Sequence, residues 1–152
     1  MKKPFAVFLL VAIGTFIVDQ NIKSIFLDGY SYAGKCIDLE LHFNSGVAFS
    51  MFAFLGSYLK WIQFVLIAGI LYVVLKEGYL KAHAFPIGLL IGGAIGNLYD
   101  RFVHGGVVDY VAWHCGFKFA VFNYADVMID IAVALILIQY YFFSDRTHSQ
   151  GQ

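Results

Sequence analysis

Four stretches of this chain, at about 5–26, 58–75, 84–103 and 122–143, are apolar over nearly the length needed to cross a bilayer. A helix spans the hydrocarbon core with about 20 mostly apolar residues. Composition agrees: 61% of residues are hydrophobic and 13% charged, about half the charged share of a soluble domain. The expected fold is therefore a membrane all-α bundle of four transmembrane helices, forming a single integral membrane domain over 1–152. Lys2 and Lys3 before the first run resemble the start of a secretory signal. No small-residue cleavage site follows, and the run is read as a retained helix.

Basic residues set the expected orientation. Lys2, Lys3, Lys76, Lys81 and Arg146 fall on one side of a four-helix topology, and Lys35, Lys60 and Lys118 on the other. Both termini are expected in the cytoplasm, with two loops outside, about 27–57 and 104–121. In the first loop Ile37, Leu39, Leu41 and Phe43 alternate with Asp38, Glu40, His42 and Asn44. That period of two marks a strand with one apolar face. Residues 47–52 are a candidate partner across an Asn44-Ser45-Gly46 turn, giving a small extracytoplasmic β-sheet. The second loop holds Trp113, Phe117 and Phe119 and is read as a short amphipathic outer loop or helix at the membrane interface. In the third helix Gly88, Gly92 and Gly96 recur at four-residue steps, the spacing that lets helices approach closely in lipid.

Net charge is zero, and no basic patch points to nucleic acid. Cys36 and Cys115 are read as two unpaired thiols, with pairing outside the cytoplasm as the alternative. The informative residues are polar groups at the outer helix ends: Asp19, Lys23, Asn44, Asn97, Asp100, Arg101, Asp109, Asn123, Asp126 and Asp130. Ionisable groups there are costly and point to a functional site. Asp19 and Lys23 share a helix face, as do Asn97 and Arg101, while Asn123 and Asp126 are three apart. The bland alternative is that such groups snorkel to water and pin helix ends, a reading as good as the functional one for Lys23. Two carboxylates in one site can share a proton and activate a water, with no metal and no side-chain nucleophile. Spacing alone does not choose the pair. A serine mechanism would need Ser45 and Lys23 to meet, with no G-x-S-x-G elbow present. A zinc mechanism lacks H-E-x-x-H among His42, His83, His104, His114 and His148. A proton channel would need polar groups across the whole membrane, and a mere scaffold leaves the polar motifs without purpose.

Five segments together resemble signal peptidase II, the lipoprotein signal peptidase family. They are Asp19-Gln20-Asn21-Ile22-Lys23, Asn44-Ser45-Gly46-Val47-Ala48-Phe49, the run from Gly92 to Arg101, Val107-Val108-Asp109-Tyr110, and Phe122-Asn123-Tyr124-Ala125-Asp126. They are similar, in order, to D-x-x-x-K, N-x-G-x-A-F, G-G-A-x-G-N-x-x-D-R, V-V-D-[FY] and F-N-x-A-D. The resemblance implies a multi-pass aspartyl peptidase of the bacterial inner membrane, working near the outer leaflet without cofactor or metal. It implies Asp109 and Asp126 as the catalytic pair. Asp19, Lys23, Asn44, Gly46, Asn97, Arg101 and Asn123 fall at positions that bind substrate or organise the site. The implied partners are membrane lipids and prolipoproteins carrying a diacylglyceryl group on the cysteine just after the cleavage point. A monomer and inhibition by globomycin are also expected. Asp130 departs from the pattern, standing where the family more often has a small or apolar residue.

Overall fold

The computed structural model describes residues 2–46, 55, 56, 58–117 and 119–148. Four helices account for most of them: α1 (Lys2–Leu27), α2 (Tyr58–Lys76), α3 (Leu80–Val103) and α4 (Tyr124–His148). Each contains a segment long and apolar enough to cross a membrane. Their bounds lie close to the apolar runs, because apolar length is itself what a bilayer selects. Leu10 and Tyr140 are both 73% exposed, which places apolar surface outward, toward lipid.

The earlier start of α3 has a local cause. α3 begins at Leu80, but His83 leaves helical geometry (φ −126°, ψ 24°) and Pro86 follows three residues later. A proline lacks the N–H that would bond four residues back, and its ring crowds that carbonyl, so the helix bends. Residues 84–103 form the helical portion beyond this kink, and the preceding turn leads in from Gly78.

α3 is the central helix, packed on α1, α4 and α2. Its glycines explain the closest of these contacts. A Cβ at Gly88 would stand 2.8 Å from Val11 Cβ, and one at Gly92 the same distance from Thr15 Cβ. At Gly96 it would strike the Asp19 carboxylate, and at Gly93 it would lie 2.7 Å from the Ala125 carbonyl oxygen of α4. The small residues thus admit α1 on one side and the start of α4 on the other, as four-residue spacing predicts.

A two-stranded antiparallel sheet caps one end of the bundle. β1 (Ile37–Asn44) pairs with β2 (Val107–Trp113), from Ile37 opposite Trp113 to Asn44 opposite Val107, with an irregularity between Leu39 and His42. Two expectations meet corrections here. Part of the second loop is a strand that pairs with β1, and not a helix; the candidate partner at 47–52 lies outside the described residues. β2 escaped notice because Val107, Val108, Asp109 and Tyr110 are all buried, leaving no alternation to read. Cys36 and Cys115 are not free thiols: they form a disulfide beside the paired ends of the two strands, which brings them together across 79 residues of sequence.

Candidate active site

The polar residues converge at the sheet end of the bundle. Lys23 is 1% exposed, so it does not snorkel. Its Nζ donates to Asp19 Oδ2 and is paired with Asp100 Oδ2, both at 2.7 Å, and donates to Asn97 Oδ1 at 3.0 Å. Three acceptors match the three protons of an ammonium group. Asp19 Oδ1 accepts the Ala125 N–H at 3.2 Å, and Asp100 Oδ2 accepts the Val108 N–H at 3.1 Å. One buried ion cluster therefore ties α1 and α3 to the start of α4 and to β2.

Above this cluster, amides hold two further carboxylates. Asn97 Oδ1 accepts from Lys23 and from Asn123 Nδ2, which directs its own Nδ2 toward Asp126 Oδ1 at 2.7 Å. Asn123 Nδ2 donates to Asp109 Oδ1 at 2.8 Å, and Asn44 Nδ2 donates to Asp109 Oδ2 at 3.0 Å. Asn123 also caps α4. Its Oδ1 accepts the Asp126 N–H at 3.0 Å, while Asp126 Oδ2 accepts the Asn123 N–H at 3.1 Å. This reciprocal pair is a capping box with aspartate in place of the usual glutamate, and it sets the carboxylate at the positive end of the helix dipole.

Asp109 and Asp126 line one cavity of about 300 Å³, together with Asn44, Asn97 and Asp130. Phe119, Val121, Phe122 and Ile129 supply apolar walls. Asp109 is 2% exposed, and burial pushes its carboxyl up to about 6. The nearby Asp126 charge adds to the rise, while hydrogen bonds from Asn44 and Asn123 and the Lys23 charge oppose it. A carboxyl so poised can accept or donate a proton near neutral pH.

Nine side chains or backbone positions were expected at the site. Asp19, Lys23, Asn44, Asn97, Asp109, Asn123 and Asp126 form the continuous network just described. Gly46 and Arg101 adjoin it. Arg101 does not pair with Asp100 or Asp19, since Lys23 holds both. Its Nε donates to Gln63 Oε1 at 3.0 Å, and its Nη2 donates to the Gly46 carbonyl oxygen. It thus secures the turn after β1, where Asn44 Oδ1 accepts the Gly46 N–H. A Ser45–Lys23 mechanism loses its base, because the lysine is committed to carboxylates. Two participants were missed. Gln20 Nε2 donates to Asp19 Oδ2 and Asp100 Oδ1, and Gln63 positions Arg101. Each is an amide within an apolar helix, a signal the sequence already carried.

A family model described as "Signal peptidase (SPase) II" matches residues 11–142. A lipoprotein signal peptidase of Sulfurovum sp. (strain NBC37-1) is 75% identical over 144 residues, covering 95% of this chain and 99% of that protein. That of Helicobacter pylori (strain ATCC 700392 / 26695) is 47% identical over 146 residues, covering 95% and 93%. A solved bacterial membrane enzyme, determined by the in meso method at 2.3 Å resolution, superposes with a TM-score of 0.78 at 26% identity. It covers 97% of this chain and 93% of its own.

Proposed function

The chain belongs to the signal peptidase II family, the peptidases that remove signal peptides from prolipoproteins, and on that premise we propose that Asp109 and Asp126 are its catalytic pair. The observation that carries this reading is their placement. Two carboxylates from different elements, a strand and a helix start, line one cavity, each oriented by asparagine amides.

The pair shares one proton and holds a water between its members. The ionised carboxylate takes a proton from that water as its oxygen attacks the scissile carbonyl carbon. The protonated one donates to the carbonyl oxygen, giving a neutral tetrahedral diol. Return of a proton to the departing amine breaks the C–N bond, and the carboxylates regain their shared proton. Asn97, Asn123 and Asn44 act as positioning residues. Lys23 offsets the negative charge of Asp19 and Asp100 beneath the pair, and Arg101 secures the Gly46 turn that borders it.

The substrate is a prolipoprotein whose cysteine bears a diacylglyceryl group, and cleavage falls just before that cysteine. The apolar walls at Phe119, Phe122 and Ile129 suit its acyl chains and signal-peptide residues. Both termini lie in the cytoplasm of a bacterial inner membrane, and the aspartates lie near the outer leaflet, in keeping with the lysine distribution. One chain supplies every residue of the network, so a monomer suffices.

The test is a gel-shift assay on purified diacylglyceryl-modified prolipoprotein, with globomycin as the expected blocker. Asp109→Asn and Asp126→Asn should each lower turnover by at least about 10²–10⁴-fold. Their elution and helix content should match the wild type. Wild-type turnover by either variant would refute the assignment.

A further inference from the structure

At the end of the bundle away from the sheet, α1 and α2 flank α3 and have little contact with each other. A cleft of about 240 Å³ opens there, between the start of α1 and the end of α2. Phe5, Val74, Leu75 and Leu80 line it. Val74 and Leu80 are buried and make its floor, while Phe5 and Leu75 are exposed and make its lips. Lys2 from α1 and Lys81 from α3 stand at its mouth. Both are exposed, and among the described residues no carboxylate lines the cleft. In the chain Lys3 follows Lys2 and Lys76 follows Leu75, with Glu77 the one acid between 76 and 81.

An apolar cleft offers water no partners and tends to stay dry. At this level the helices leave the hydrocarbon core, so the molecules that meet the cleft are lipids. We propose that it binds an anionic phospholipid, with one acyl chain between α1 and α2 and the phosphate held between Lys2 and Lys81. The charge decides the class. Two ammonium groups without a neighbouring acid in the cleft attract a headgroup of net negative charge. A zwitterionic headgroup would bring its own cation against the same lysines. The site is separate from the aspartate cavity, and it requires only that the four helices span a membrane.

Native mass spectrometry of the full, delipidated chain tests this, titrating phosphatidylglycerol and phosphatidylcholine of matched acyl chains. One phosphatidylglycerol should bind more tightly than phosphatidylcholine, and added salt should weaken that preference. Lys2→Gln and Lys81→Gln should each weaken phosphatidylglycerol binding about fivefold, and together about 25-fold. Phosphatidylcholine binding should not change in these variants. Leu75→Trp, which fills the cleft, should weaken both lipids and leave peptidase turnover in lipid-free detergent at the wild-type value. Glycerol 1-phosphate at millimolar concentration should fail to displace the lipid. Equal affinity for the two lipids would overturn the site, as would indifference to both lysine changes or displacement by the bare headgroup.

Discussion

The two ends of the bundle bury opposite kinds of surface. At the sheet end Asp19, Lys23, Asn97, Asp100, Arg101, Asp109 and Asn123 are all buried, and each is hydrogen-bonded or ion-paired. At the other end the helices meet through Phe8, Ala12, Val74, Leu80, Ala84 and Ile87, while Lys2, Lys3 and Lys81 remain exposed. Burying ions costs several kcal/mol each even when they are paired, whereas apolar packing carries no such cost. A bundle selected for stability alone would be apolar at both ends. The ionic end therefore holds geometry that an apolar core could not supply: carboxylates fixed around a cavity.

Removing Lys23 should show this most strongly. Lys23→Met leaves Asp19 and Asp100 buried side by side without their cation, and should destabilise the fold by about 3–5 kcal/mol. Lys3→Met, at an exposed position of the other end, should change stability by less than about 0.5 kcal/mol. Denaturant unfolding in detergent measures both, and equal losses would erase the distinction between the ends.

Glycines allow a second contrast. Gly96→Ala drives a methyl group into the Asp19 carboxylate, which Lys23, Gln20 and the Ala125 N–H hold in place. A loss of about 1–3 kcal/mol is expected, together with reduced turnover. Gly69 in α2 has open space where its Cβ would be. Gly69→Ala should stabilise by about 0.5–1 kcal/mol, from helix propensity alone. A neutral Gly96→Ala would mean that α1 and α3 approach less closely than the geometry requires.

Much of the sheet end could be read from residue types, because an aspartate or asparagine inside an apolar run is conspicuous. Asp19, Lys23, Asn97 and Asp126 were visible for that reason. Their partnerships were not. Nothing in the spacing shows that Lys23 bridges to Asp100 on another helix, or that this leaves Arg101 free to grip the Gly46 turn. Long-range pairing depends on how closely α1 meets α3, and the glycine steps gave only the approach. β2 was hidden because a strand buried on both faces loses its alternation, and the bond between Cys36 and Cys115 was hidden with it.

Titration separates the ends more gently. The Asp109 carboxyl is raised to about 6 from an ordinary value of 3.8, so the folded state favours its protonated form. Its contribution to stability is complete below about pH 4 and is lost as pH rises through 6. Asp109→Asn should thus gain on the wild type as pH increases from 4 to 7, by an amount on the order of 2 kcal/mol at most. Thermal unfolding of both proteins across that range checks the sign. A gain toward acid pH would mean that the carboxyl is held ionised in the fold.

The smallest effect belongs to Asp130. It lies one turn beyond Asp126, lines the same cavity, and is exposed to it. Among the described residues no hydrogen bond joins it to the amide network that orients the catalytic pair, and its influence is that of a nearby charge. A negative neighbour opposes further ionisation, so removing it eases ionisation of the pair. Asp130→Ala should therefore move the acid limb of the pH–rate profile to lower pH and leave maximal turnover within severalfold of the wild type. Asp130→Asn, which keeps the shape and loses the charge, should do the same. If both variants were inactive, Asp130 would be a working member of the catalytic centre, and a pair would no longer describe the chemistry. If only the alanine variant moved the limb, the shift would come from the shape of the cavity and not from its charge.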